Sequence, residues 1–556
     1  MTDTIFRNAR VRTVDDGFSV AESFAVHGDR ITAVGSEREV AAGAAAGARI
    51  IDLRGATVLP GFIDTHAHAV HRALAALAVP SLVGAGSVAE IARRIGAAAQ
   101  RSAPGAWIAA TSIGTPPDHF DLPEGLAERR WPTRHDLDAA APDNPVLIPT
   151  PAYWPHPAIL NSAALAALGI DRDTADADGI RFERDGTGAP TGLVHGLHFY
   201  NGRAPLFGRM MRLLPRPSAP ARQAAIAAEL AANVAAGITT SYEGHVNMAT
   251  DDLRALHEAG ALPGRVFASY EVPVGHPDPA AWLDSVADAR GAGTGDDVLR
   301  VAGVTVSMEA PVQFGGALMH RPYRDAHGRL TNGTMALDVD ALVELGRLAA
   351  ARDVRLNVLA AGDLACARTV DALSTVDKEF SLAGRHWIVQ HFPHPTPDQI
   401  DRLVAMGVAA QTYAGTDYGK GAATYVDGLG GELWRDLVPL RWWLDGGAVI
   451  AQGSDGAHAE AMWQLWQTLR RVDGRTGRSL LTPAKTVTRP EAVRTWTVNG
   501  AILLDAADRL GSLEPGRLAD FMVLDADPLT CPVDEIRDIT VTGTVVGGVT
   551  VHGDLG

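Results

Sequence analysis

Two histidines one residue apart, His66 and His68, close an apolar run and form the pair best suited to chemistry in this chain. Val58, Leu59, Phe62 and Ile63 read as a short strand buried on both faces, and a period of two puts both imidazoles on one side at its end. Two imidazoles projecting together invite a metal ion. The alternative is a strand end whose histidines are held by ordinary hydrogen bonds. His391 follows Trp387-Ile388-Val389-Gln390, and Asp455 follows Val449-Ile450-Ala451-Gln452-Gly453-Ser454, so both are delivered to strand ends in the same manner. An aspartate beside a metal-bound water can accept its proton and later hand it to a leaving group. The plainer readings are a satisfied strand-end histidine for His391 and a helix N-cap in Gly-Ser-Asp-Gly for Asp455.

Groups at the ends of separate strands need a scaffold that gathers those ends. From about Pro60 to Leu503, apolar strand-like runs alternate with alanine-rich helical ones, the signature of repeated βα units, and a parallel barrel is their natural closure. Candidate strand ends are His66-Ala67-His68, Val146-Leu147-Ile148, Ile238 to Glu243, Leu299 to Ser307, Val354 to Leu359, Trp387 to His391, Val408 to Thr412 and Val449 to Asp455. In such a barrel catalytic groups come from the carboxyl ends of different strands. The passage between His68 and Gly237 exceeds one βα unit and predicts a lobe inserted at about 72–235 over the mouth, where substrate selection would sit. From Thr4 to about Leu59 the chain reads as short strands and turns, and the C-terminal segment has the same texture. The two ends, 1–59 and 504–556, are expected to complete one small β-sandwich domain beside a barrel over 60–503.

Composition excludes several classes. The chain has 556 residues, 46% of them hydrophobic and 21% charged, as in an ordinary globular enzyme. A formal net charge of −16 argues against a nucleic-acid partner. Cys366 and Cys531 lie far apart, which excludes a disulfide framework and a thiolate zinc cluster and fits a reducing cytoplasm. The first residues lack a signal peptide's basic start and apolar core, and no apolar run reaches the roughly eighteen residues that span a bilayer. A cytoplasmic protein without membrane contact is expected.

The chain resembles the amidohydrolase superfamily, and within it family 3, the branch of N-substituted formamide deformylase-like enzymes. The resemblance covers nearly the whole chain. It rests on Pro60-Gly61-Phe62-Ile63-Asp64-Thr65-His66-Ala67-His68, on Thr133-Arg134-His135-Asp136-Leu137-Asp138 with Asp143-Asn144-Pro145-Val146, and on His156-Pro157-Ala158 leading to Asn161-Ser162. Ala236-Gly237-Ile238-Thr239-Thr240, Gly453-Ser454-Asp455 and Gly511-Ser512-Leu513-Glu514-Pro515-Gly516-Arg517-Leu518-Ala519-Asp520 follow in order. It implies an α/β fold, a (β/α)8 TIM-like barrel with a small β-sandwich, in which His391 follows the sixth strand and Asp455 the eighth.

The departures from that pattern matter as much. Where relatives carry Gly-Val-Lys, whose carboxylated lysine bridges two metals, this chain has Gly303-Val304-Thr305, and threonine cannot form a carbamate. Where relatives place a metal-binding histidine after the fifth strand, this chain has Leu359, which has no donor atom. What remains is four possible ligands, His66, His68, His391 and Asp455, enough for one divalent ion, zinc, with a position for water if one of them stands off it; Asp455 and His391 are the catalytic candidates, His391 as ligand or as polariser. Glu309, standing where relatives tend to have aspartate, and His245, in Tyr242-Glu243-Gly244-His245, are candidate substitute ligands; both also read as mouth-lining polar residues. His195 and His198 are three apart, so a helix would place them on one face as pocket residues; surface histidines are the alternative. His156 and Asn161 match a segment near the mouth and either orient substrate or serve structure.

The expected activity is metal-dependent hydrolysis of a non-peptide C–N bond in a small N-substituted amide or formamide, by metal-activated water. The missing lysine leaves open a mononuclear lyase, isomerase or decarboxylase on the same fold. A non-catalytic binding barrel is the third reading, and the joint retention of His66, His68, His391 and Asp455 argues against it. A small-molecule substrate and a homodimer complete the expectations drawn from the resemblance.

Overall fold

A computed structural model describes residues 3–555 apart from 44–46, 116–121, 153, 248, 274–275, 291–292, 326–327, 420–428 and 430–431. Its centre is a nine-stranded sheet, in which Thr294–Gly295 is a side strand and the other eight run parallel in sequence order. They are β1 (Phe62–Asp64), β2 (Ile238–Glu243), β3 (Arg265–Glu271) and β4 (Leu299–Ser307). β5 (Leu356–Ala360), β6 (Ile388–His391), β7 (Ala409–Thr412) and β8 (Ile450–Gln452) follow. The seam between β1 and β8 is closed by Thr65, whose N–H and Oγ1 both donate to the Gln452 carbonyl at 3.2 and 2.8 Å. Just beyond it, the Asp455 N–H donates to the His66 carbonyl at 2.9 Å.

These strands are short and apolar because both faces are covered. Val304, Val306, Leu356, Val358, Val389, Ala410 and Ile450 are buried in the largest apolar cluster with side chains of the surrounding helices, among them Leu345, Leu373, Leu403 and Leu465. One expectation is corrected. Val146–Ile148 is not a barrel strand: it pairs with Ile108–Ala109 and Ala158–Leu160 in a separate sheet. The third barrel strand is instead Arg265–Glu271, whose polar ends, Arg265 and Tyr270-Glu271, disguise a buried middle of Val266, Phe267 and Ala268.

That separate five-stranded sheet lies between β1 and β2, in the order Arg181–Arg184, Pro190–His195, Ala158–Leu160, Val146–Ile148, Ile108–Ala109. Leu82, Ile91, Ile95 and Ile148 pack one apolar cluster around it, and Leu147, Leu160, Leu165, Phe182 and Met210 pack another. Asn161 joins its parts. Its Oδ1 accepts the Val146 and Ala164 N–H groups, and its Nδ2 donates to the Ala141 and Asn144 carbonyls. Asn161 is thus a structural node.

The chain ends supply two further sheets. One has the order Arg30–Gly35, Ser23–His27, Thr4–Arg7, Arg49–Asp52; the other runs Val549–His552, Val541–Val546, Phe521–Leu524, Thr57–Pro60, Arg10–Arg12, Val20–Ala21. Phe6 stacks on Phe24 at 4.8 Å, and Phe521 meets both edge-on at 5.1 and 5.0 Å. Leu504, Leu510 and Leu518 pack instead with Ile63, Tyr242 and Ile388 of the barrel. Thr57–Pro60 runs into β1 through Gly61, where a Cβ would collide with the Thr239 side chain, so only glycine fits. Arg265 of β3 makes a buried fork to Asp520 at 2.5 and 2.8 Å, joining the barrel to the segment that leads into Phe521–Leu524. No described helix is long and apolar enough to cross a membrane.

Candidate metal centre

The carboxyl ends of β1, β6 and β8 converge. β1 ends on buried Asp64, whose Oδ1 accepts the N–H groups of His66 and Ser454 at 3.1 and 2.9 Å, tying the turn after β1 to the turn after β8. His66 and His68 follow, and their Nε2 atoms lie 3.0 Å apart. Asp455 Oδ1 is 3.6 Å from His66 Nε2, 3.5 Å from His68 Nε2 and 4.0 Å from His391 Nε2. His68, His391 and Asp455 have φ of 53°, 66° and 51°, left-handed backbone that non-glycine residues rarely adopt. Such strain persists where the surroundings over-determine it, and it clusters at functional sites.

The donor triangle of His66, His68 and Asp455 fits a metal ion. Ligand atoms about 2.1 Å from a tetrahedral zinc are ~3.3 Å from one another, close to the three separations seen. His66 and His68 are both held below the ordinary imidazole range, first by burial and further by neighbouring imidazoles, although Asp455 pulls both up. The neutral form this favours is the form that ligates. His66 Nδ1 is buried with no hydrogen-bond partner among the described residues. Two overlapping groups could hold a metal, His66/His391/Asp455 and His66/His68/His245, with ligand atoms in each lying within 4.8 Å of one another.

The other sequence candidates separate. His245 belongs to the centre, its ring 5.3 Å from His68 and 5.5 Å from His66. Glu309 does not join either group: its Oε1 accepts the Ala361 and Gly362 N–H groups at 2.6 and 2.7 Å, and its Oε2 accepts that of Leu318. It anchors the turn after β5. His195 ends a strand of the inserted sheet 3.3 Å from Glu183, and His198 begins a 3-10 turn, its ring 4.5 Å from Phe314. No helix joins them, because Gly192 and Gly196 take φ of 99° and 79° and Val194 favours the strand. His156 packs against Trp131 at 4.8 Å. Thr305 on β4 pairs with Asn357 of β5, and Leu359 pairs with Ser307 one pleat further along; Thr305 Oγ1 is 2.6 Å from Ser269 Oγ and accepts from Asn357, so neutral hydrogen bonds fill that part of the interior.

Three contributors had no sequence signal. Glu271, at the end of β3, sits 3.5 Å from His245 Nδ1. His71, on the helix Ala69–Ala76, brings Nδ1 to 3.3 Å from His68 Nδ1. Tyr200, from the inserted lobe, is kept protonated by burial and by the carboxylates of Asp455 and Glu271. A tyrosine delivered by a distant lobe leaves no local motif, whereas Glu271 would have emerged once β3 was recognised.

Two expected results follow from this geometry. A Cβ at Gly453 would stand 2.5 Å from His66 N and 2.6 Å from His66 Cβ. Gly453→Ala must push His66 aside at a cost of about 1–3 kcal/mol, so metal affinity in a chelator competition should fall roughly tenfold to hundredfold. Unchanged affinity would show that the backbone yields without moving the ligand. Glu309 is pushed up to about 7 by burial, although three backbone N–H groups pull it down. Between its ordinary 4.5 and about 7 the folded state binds more protons than the unfolded chain, so this group's contribution to stability declines as pH rises through that window. Urea midpoints of the parent and of Glu309→Gln, at pH 5 and pH 8, should show the variant's deficit shrinking by up to ~3 kcal/mol at the higher pH. A deficit independent of pH would contradict it.

A sequence model described as the amidohydrolase family matches residues 49–552. The chain belongs to the amidohydrolase family and is an amidohydrolase-type hydrolase. It is 29% identical over 582 aligned positions to an N-substituted formamide deformylase of Arthrobacter pascens, covering 99% of this chain and 98% of the relative. The solved structure of an uncharacterized metal-dependent hydrolase from Pyrococcus furiosus superposes with a TM-score of 0.73 at 22% identity, covering 95% of this chain and all of that one. Another, from Pyrococcus horikoshii OT3, gives 0.74 at 21% identity, covering 96% and 99%.

Proposed function

We propose that this hydrolase cleaves the C–N bond of a small N-substituted amide or formamide at one zinc ion held by His66, His68, His391 and Asp455. The donor triangle carries the reading, and the Arthrobacter pascens relative, by its name, supports the substrate class. When bound, such an ion acidifies a water and polarises a carbonyl. Asp455 takes the proton of the attacking water as its oxygen bonds to the carbonyl carbon. The C=O electron pair moves onto oxygen, and Tyr200, kept protonated within electrostatic reach of Asp455, is the hydroxyl that can donate to it. As the tetrahedral carbon collapses, the C–N bond breaks and Asp455 returns the proton to nitrogen, releasing amine and acid. Neutral Thr305 and apolar Leu359, at the two departures from the family pattern, favour one ion over two.

The test is product analysis on the zinc-loaded protein with N-substituted formamides and their acetamide counterparts. Equimolar amine and formate are expected from the formamides. Substrate consumed without amine, as an isomer or with loss of carbon dioxide, would overturn the hydrolytic reading.

A further inference from the structure

We propose that His245, just past the end of β2, is a metal ligand, and that Glu271 from β3 orients it. The inference rests on the metal-centre reading above and adds to it a further protein donor.

The geometry runs from the backbone outwards. The Glu271 N–H donates to Asn247 Oδ1 at 2.8 Å, and Asn247 Nδ2 donates to the Glu271 carbonyl at 2.7 Å. This pair of bonds fixes the turn after β2 against the end of β3, two residues past His245. The imidazole is nearly buried, its Nδ1 turned to Glu271 Oε1 at 3.5 Å, which leaves Nε2 for a metal. A carboxylate on the far nitrogen is how ligating histidines are commonly held in tautomer and orientation. The ring lies parallel to that of His68, 7° apart at 5.3 Å, and offers a nitrogen within 4.8 Å of those of His66 and His68.

Chemical need points the same way. On the β4–β5 side, Thr305 is engaged with Ser269 and Asn357, and Leu359 has no donor. Donors for the ion must come from β1, β2, β6 and β8. The two candidate groups share His66, which sets His245 beside the same donors. With His245 bound, one of His66, His68, His391 and Asp455 stands off the ion, so that a position remains for water within the roughly four to five that zinc accepts.

The experiment uses the full chain, stripped with a chelator and reloaded with cobalt(II). Stoichiometry comes from elemental analysis, affinity from competition with a chromophoric chelator, and ligand identity from the visible and near-ultraviolet spectrum. His245→Ala is expected to shift the cobalt ligand-field bands and weaken affinity at least about 100-fold, and Glu271→Gln to weaken it about 10- to 100-fold. His245→Cys keeps a donor in place and should add a thiolate-to-cobalt charge-transfer band, a positive signal that stands even if the alanine variant folds poorly. Parent-like affinity in His245→Ala with no new band in His245→Cys would overturn the inference and leave the metal centre standing. A parent chain that binds no ion would overturn both.

Discussion

Asp455→Asn should lower kcat by about three to four orders of magnitude while leaving the fold intact. The substitution keeps the side chain's shape and the left-handed backbone at 455, whose N–H still donates to the His66 carbonyl. What it removes is the charge and the basic oxygen. Asp455 Oδ1 faces His66, His68 and His391 at 3.6, 3.5 and 4.0 Å, so loss of the anion weakens metal binding as well as proton transfer. A positioned general base is worth about 10²–10⁴ in rate, and lost ligation adds to that. The two effects part when the variant is assayed with enough zinc to restore full occupancy. A deficit of about a hundredfold or more should persist there. Recovery to the parent rate at saturating metal would reduce Asp455 to a ligand and move the proton-transfer role elsewhere.

The largest stability effect is expected away from the metal centre, at Asp417. This residue lies just past β7 with a fully buried carboxylate. Its Oδ2 accepts from Arg471 Nε at 2.6 Å, and both its oxygens accept from Lys485 Nζ at 3.1 Å; both cations are themselves fully buried. Burial, helped by Arg471, pushes Lys485 down to about 8 although Asp417 pulls it up. Asp417→Asn leaves two buried cations facing a neutral amide. Lysine can shed its proton, but arginine cannot. Removing one partner of a buried ion pair costs about 3–5 kcal/mol. The urea midpoint should drop accordingly, and because Asp417 no longer holds Lys485 up, part of the loss should return as pH rises towards 8, where the variant sheds that proton and the parent keeps it. A loss below about 1 kcal/mol would mean that water reaches the cluster.

The sequence announces residues at the ends of apolar strands and conceals residues that matter only through contacts made at a distance. His66, His68, His391 and Asp455 each follow a buried run, so a period-two reading already places them at strand ends, and the structure brings all four together. His245 could be placed at a strand end but not weighed against Glu309, because both look alike in sequence. Only the three backbone N–H groups on Glu309, against the imidazoles beside His245, tell them apart. Tyr200 was hidden because the fold of the lobe, not any spacing in its own segment, brings it to the mouth. Asp417, Arg471 and Lys485 stayed hidden for a related reason. A charged residue in a loop reads as exposed until its partners are known. Val146–Ile148 shows the converse error: a short apolar run marks a buried strand without saying which sheet receives it.

The strand Thr57–Pro60 lies between Arg10–Arg12 and Phe521–Leu524 and passes without a break into β1. On a ribosome this order has a cost. Arg10–Arg12 and Thr57–Pro60 emerge before the barrel, but Phe521–Leu524, the strand that covers their open side, is made only after it. Until then the nascent protein carries an unpaired edge, with Phe6 and Phe24 lacking Phe521 across the core. The barrel, though coded in the middle, is thus tethered throughout its synthesis to an unfinished sheet. Folding of the whole cannot run strictly in chain order, as it does in chains whose domains complete one after another; the first sheet has to wait for Phe521–Leu524.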